Sequence, residues 1–231
     1  MCLLCSGVAR RRVLSLSLAG ITAAALPRAG IAGAPLSPDE ALAKLKAGNQ
    51  KFLSAPQLCA GDLAEQRASL AKAQAPWATI LTCSDSRVSP ELIFGGIGLG
   101  ELFVARNAGN MADTATMGTI EYAAEHLGTP LVVVMGHQRC GAVAAAYEVA
   151  AANGKYPGSI GAMVDAIVPA AVAMKDRPGD FVDNTVRESA RRTAAKIAGE
   201  SAIVRHLVAA GKVKVVAARY DLDTGAVQFL S

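Results

Sequence analysis

Leu131-Val-Val-Val-Met135 places apolar side chains on five consecutive positions. Successive strand residues point to opposite faces, so a strand of this composition must be covered on both sides, as strands inside a parallel sheet are. Trp77-Ala-Thr-Ile-Leu-Thr82 reads as a second buried strand that ends at Cys83, and Glu101 to Ala105 and Lys212 to Ala218 as two more. Helical stretches fall between and after them, at about Thr116 to Leu127, Gly141 to Ala152, Ile160 to Met174, Asn184 to Ile197 and Ser201 to Ala210. Near the start, Ser37-Pro38-Asp39-Glu40 supplies an N-cap, a proline for the first turn and a glutamate for a capping box. This predicts a helix to about Leu53, followed by another over Leu63 to Ala73. Asp221 to Gly225 reads as a turn into a last strand near Val227. Strands alternating with helices specify an α/β fold, a mainly parallel central β-sheet flanked by helices, in which ligand groups gather at the carboxyl ends of the strands.

A chain of 231 residues suits one hydrophobic core preceded by a leader, with residues 1–34 as a signal peptide and 35–231 as a single domain. The formal charge of +4 does not imply a polyanion partner. Arg10, Arg11, Arg12 and Arg28 all fall in the leader, where there is no acidic residue, and the rest of the chain carries 19 basic and 19 acidic groups. Nucleic acid is therefore not an expected partner. Ala9-Arg10-Arg11-Arg12 followed by an apolar run to Ala25 reads as a twin-arginine-like export signal, which places the protein in the periplasm or otherwise outside the cytoplasm. The run is about 13 residues, short of the ~20 needed to span a bilayer, so a removable signal is expected and not a stable membrane anchor.

Cys2 and Cys5 leave with such a leader, and Cys59, Cys83 and Cys140 remain. An odd set in an exported protein points away from a disulfide framework and towards thiolates committed elsewhere. Two of them belong to motifs at predicted strand ends: Cys83-Ser84-Asp85-Ser86-Arg87 and, 54 residues later, His137-Gln138-Arg139-Cys140-Gly141. Two thiols and one imidazole form a donor set that Zn²⁺ favours, and a catalytic zinc takes three protein ligands and leaves a fourth position for water or substrate. His137 and Cys140 share one turn, where Gly141 is expected to permit a tight backbone. Asp85 and Arg87, two apart in one loop, can form a two-pronged carboxylate–guanidinium pair beside the metal. There Asp85 would accept a hydrogen bond from the zinc-bound nucleophile or, in a closed form, become the fourth ligand. His126 and His206 lack metal-type spacing and read as surface or core residues.

The two motifs together resemble the metal-binding pattern of the β-carbonic anhydrases. The likeness continues through Glu101-Leu-Phe-Val-Ala-Arg-Asn107, Thr119-Ile-Glu-Tyr122-Ala and Ala218-Arg-Tyr220-Asp-Leu, over roughly residues 38–231. The resemblance implies one Zn²⁺ per subunit on Cys83, His137 and Cys140. It implies reversible hydration of CO₂ to bicarbonate and a proton by a zinc-bound hydroxide, with Asp85 and Arg87 as the catalytic pair. It further implies substrate contacts from Gln74, Phe103, Ala108, Tyr122 and Gly141, and assembly as a homodimer or higher homo-oligomer. Two thiolates neutralise the ion, so an alkaline working optimum is expected.

One position departs from the family: regulated members carry a tryptophan where this chain has Ile80, although Arg106 and Tyr220 match the other two residues of that bicarbonate site. Two other readings keep the same metal, a CS₂ or COS hydrolase and a non-catalytic zinc or bicarbonate sensor.

Overall fold

A computed structural model describes residues 36–55, 63–152 and 154–231. The leader, with its arginines, and Cys59 lie outside them. Helix α1 (Pro38–Ser54) starts on the expected capping box: Ser37 Oγ accepts from Glu40 N–H, and the Glu40 carboxylate accepts from Ser37 N–H at 2.8 Å. After α2 (Leu63–Leu70) come β1 (Ala78–Cys83), the short α3 (Pro90–Ile93), β2 (Leu102–Asn107), α4 (Thr114–Glu125) and β3 (Leu131–His137). The second half runs α5 (Gly141–Ala152), α6 (Gly158–Asp165), α7 (Val168–Met174), α8 (Phe181–Glu200), α9 (Ala202–Ala209), β4 (Lys214–Tyr220) and β5 (Val227–Leu230).

The described strands form one sheet in the order β2-β1-β3-β4-β5, parallel except for β5, which returns antiparallel after the Asp221–Gly225 turn. Every residue of β1 and β3 is buried, as runs without polar alternation require. The polar threonines of β1 are satisfied inside: Thr82 Oγ1 donates to Met135 O at 2.9 Å, and the Thr79 and Thr129 hydroxyls pair at 2.9 Å.

Two apolar layers cover the sheet. On one side α4, α8 and α9 bring Ile120, Ala190, Ile197, Val204 and Leu207 against Leu81, Val132 and Val134. On the other, α1 and α3 bring Leu45, Ile93 and Phe94 against Ile80, Val133 and Met135. Buried Asn49 of α1 sews this layer to the last hairpin, donating to Ile93 O and Gly225 O and accepting from Val227 N–H. A third cluster, from α5 to α8, surrounds Cys83 and Cys140.

Several boundaries differ from the sequence expectation. The stretch from Ile160 to Met174 is two helices, because Pro169 cannot continue the first and opens the first turn of α7. Strand β3 runs on to include His137, and β2 to Asn107. No helix among the described residues is long and apolar enough to cross a membrane.

Candidate metal centre

Cys83 is the last residue of β1 and His137 the last of β3, and since those strands pair in parallel, the two side chains emerge at the same edge of the sheet. Cys140 follows three residues after His137, immediately before α5. The backbone makes that return through Arg139, whose φ of +55° is left-handed. The tight position is thus Arg139, not Gly141. Gly141 has no left-handed φ, and a Cβ there would meet open space.

The Cys83 Sγ, His137 ring nitrogen and Cys140 Sγ lie within 4.8 Å of one another, and all three residues are buried. The two sulfurs are 4.0 Å apart. A tetrahedral ion with bonds of about 2.3 Å to sulfur separates two thiolates by about 3.8 Å, so the pocket has the span that zinc requires. His137 Nε2 supplies the more telling sign: it is fully buried and has no hydrogen-bond partner. Its Nδ1 lies 3.0 Å from Gln138 O, and a carbonyl only accepts, so the proton sits on Nδ1 and Nε2 presents a bare lone pair to the thiols. An orphaned acceptor is costly in a core, and a cation seated among these atoms removes the cost. Among the described residues no other His, Cys and carboxylate cluster has this geometry.

Of the two thiols, Cys83 is the one poised to lose its proton. The hydrogen bond from Cys140 holds Cys83 below the usual thiol range, against its burial, with help from Gly109 N–H, whose nitrogen is 3.4 Å from the sulfur. Cys140 is pushed up by that same contact and by burial. A single proton between the two sulfurs accounts for both shifts, and a divalent ion held by the pair would displace it.

Asp85 stands beside this cluster with Oδ2 3.8 Å from His137 Nε2. Arg87 Nε donates to Oδ1 at 2.9 Å, Nη2 donates to Oδ2 at 2.7 Å, and Arg87 N–H donates to Oδ1 at 2.9 Å. These bonds, Arg87 first, hold the Asp85 carboxyl well below the usual range. Arg106, on β2, donates from Nη2 to Asp85 O at 2.7 Å and from Nε to Cys83 O at 3.1 Å. The sequence pointed to Arg106 only as one corner of a regulatory site, whereas here it ties β2 to the end of β1 and to the loop that carries Asp85. The third corner, Tyr220, is buried at the end of β4, and Ile80 is buried in β1.

The sequence of the carbonic anhydrase family matches residues 78–227. Carbonic anhydrase 2 of Mycobacterium tuberculosis is 37% identical over 191 residues, 82% of this chain and 91% of that protein. Among solved structures, the Coccomyxa β-carbonic anhydrase in complex with acetazolamide superposes with a TM-score of 0.62 at 27% identity, covering 82% of this chain and 86% of that one. A tetrameric β-carbonic anhydrase from Sordaria macrospora gives 0.62 at 26%, covering 73% and 89%. The chain belongs to the β-carbonic anhydrase family. It is a lyase of CO₂ hydration, and the readings as a CS₂ or COS hydrolase or as a sensor are not supported by these relatives.

In this β-carbonic anhydrase the expected pocket residues divide into two groups. Ala108 sits in the turn after β2, next to Gly109, and Gly141 follows Cys140, so both border the ligands. Phe103 is level with Thr79, four residues or about 13 Å back along the strand from Cys83. Its ring is 6.2 Å from that of Tyr122, which is 48% exposed. Gln74 is exposed and precedes β1, at the end of the sheet opposite Cys83. Within one chain these three do not reach the ligand cluster. His126 rests against Tyr122 at 5.3 Å between ring centres and His206 is exposed on α9.

Proposed function

We propose that Cys83, His137 and Cys140 hold one zinc ion per chain and that Asp85 and Arg87 conduct the hydration of CO₂ beside it. The observation that carries this reading is the buried, partnerless His137 Nε2 facing two thiols, with a carboxylate oxygen 3.8 Å away. Zinc, when bound, supplies a Lewis acid that makes water acidic enough to give a nucleophile near neutral pH.

The remaining chemistry belongs to the side chains. Asp85, kept ionised by Arg87, is an acceptor only. It takes the O–H of the attacking water at Oδ2 and turns an oxygen lone pair towards the carbon of CO₂. Arg87 fixes the direction of that acceptor through two parallel bonds, and Arg106 fixes the backbone beneath it. In the other direction the C–O bond to the hydroxyl group of bicarbonate breaks, CO₂ leaves, and a proton from solvent converts the released hydroxide to water, with Asp85 holding the same O–H. Ala108 and the open space over Gly141 leave room for a small apolar substrate. Both oxygens of Asp85 are engaged by Arg87, an arrangement that favours the open form over the one in which Asp85 is a ligand.

The test is stopped-flow CO₂ hydration by zinc-loaded protein from pH 7 to 9. Wild type is expected to be active and Asp85→Asn to lose about a hundredfold while keeping its zinc. No wild-type activity across that range rejects the proposal.

Two properties of the whole protein complete the reading. A homo-oligomer would cover the open edge of β2 and the exposed Tyr122 beside half-buried Phe103 and let Gln74 serve a neighbour's site, and a single-subunit mass by light scattering would contradict it. Export by the twin-arginine route follows from Arg10 to Arg12, and secretion unchanged without them would contradict that.

A further inference from the structure

The two residues between the ligands His137 and Cys140 are both fastened to the β4–β5 turn. Gln138 N–H donates to Tyr220 O at 2.9 Å, and Gln138 Oε1 accepts from Leu222 N–H at 3.2 Å. Arg139 grips Asp223 with both terminal nitrogens, at 2.8 and 2.7 Å. The turn itself is preformed. Asp221 Oδ1 accepts from Asp223 N–H and Thr224 N–H at 3.0 and 2.9 Å, and its Oδ2 accepts from Arg219 Nη1 at 2.6 Å. Arg219, only 8% exposed, is anchored in turn to Asp183 of α8 at 2.7 Å.

These contacts lead to the metal by one covalent step. The carbonyl that accepts from His137 Nδ1 is that of Gln138. Whatever sets the Gln138 backbone therefore sets both the tautomer of His137 and the aim of Nε2. Gln138 is half-buried, its main-chain N–H and its side-chain oxygen are both taken by the turn, and its carbonyl is left for the imidazole. Arg139 holds the left-handed bend that brings Cys140 back under His137. A strained non-glycine residue persists where its surroundings over-determine it, and the two-pronged pair with Asp223 is such a constraint.

We infer that Gln138 is a positioning residue for metal retention: seated on the turn that Asp221 shapes, it orients His137 towards the ion, with Arg139–Asp223 as a second clamp. The inference rests on the ligand assignment proposed above. Partners of a ligating histidine change metal affinity by about ten- to a hundredfold when removed.

The experiment measures zinc release to a metallochromic chelator and the visible spectrum of the cobalt-substituted protein, for wild type, Gln138→Met, Asp221→Ala and the double variant. Gln138→Met keeps length and removes the acceptor. It is expected to release zinc about tenfold faster and to shift the cobalt bands, which a purely structural role would leave in place. Asp221→Ala is expected to act in the same direction, and the double variant to be no faster than the faster single one, because both act through one chain of contacts. Arg139→Gln, at an exposed site, removes the second clamp without threatening the fold and is expected to speed release about threefold. Wild-type release rates and cobalt spectra in both Gln138→Met and Arg139→Gln overturn the positioning role while the ligand assignment stands. A wild-type chain that holds no stoichiometric zinc overturns the assignment itself, and this inference with it.

Discussion

Asp221 is the residue on which most polar contacts around the last turn converge, and its ionisation follows from them. The hydrogen bond from Arg219, then Thr224 N–H, lowers its carboxyl from 3.8 to about 2, against a small cost of burial. A depressed carboxylate stabilises the fold at pH values above its unfolded value and ceases to do so as pH falls through the folded one. The window is thus pH 4 to 2, and the effect at neutral pH is about 2 kcal/mol. Asp221→Ala is expected to lower stability by that amount in denaturant unfolding at pH 7, and the gap from wild type is expected to narrow at pH 3. A gap that is the same at both pH values would contradict the assignment. At this scale the sequence was eloquent about side chains and silent about the backbone. Cys83, His137, Cys140, Asp85 and Arg87 stand together because metal-donor types and a carboxylate–guanidinium pair are visible as letters. Gly109, which donates to Cys83 Sγ, and Gln138, which accepts from His137 through its carbonyl, act through main-chain atoms that every residue possesses. Only the position of Gln138 between two ligands could have drawn attention to it.

At the scale of elements, the His137 end of β3 is pressed against α8 through a glycine. A Cβ at Gly136 would lie 2.8 Å from Val186 Cγ1 and 3.3 Å from Val186 O. Helix and strand approach more closely there than any side chain allows, one residue before His137. Gly136→Ala is expected to cost about 2 kcal/mol in thermal or denaturant unfolding, since overpacking of a filled core costs about 1 to 3. An unchanged stability would show that α8 yields without strain. Element types were legible because period distinguishes them: the consecutive apolar residues of β3 and the capping box of α1 each have one structural solution. Ends were less legible. His137 belongs to the strand because it pairs with Tyr220 of β4, a contact 83 residues away that no local pattern announces. The break between α6 and α7 was written in Pro169, but an alanine-rich apolar stretch on either side conceals it.

At the scale of the molecule, the order β2-β1-β3-β4-β5 places the carboxyl ends of β1 and β3 side by side and sets the β4–β5 turn beneath the His137–Cys140 loop. Alternating strands and helices made the parallel sheet readable in the sequence. Gln74, Phe103 and Tyr122 lie away from the Cys83–His137–Cys140 cluster of their own chain. The central claim is that one zinc ion on Cys83, His137 and Cys140 carries the activity. It is tested most directly by titrating the metal-free protein with zinc while following CO₂ hydration. The rate is expected to rise in proportion to added metal and to break sharply at one equivalent per chain, and Cys140→Ser is expected to show neither the rise nor the break. Full activity before zinc is added, or the same titration curve from Cys140→Ser, would contradict the account.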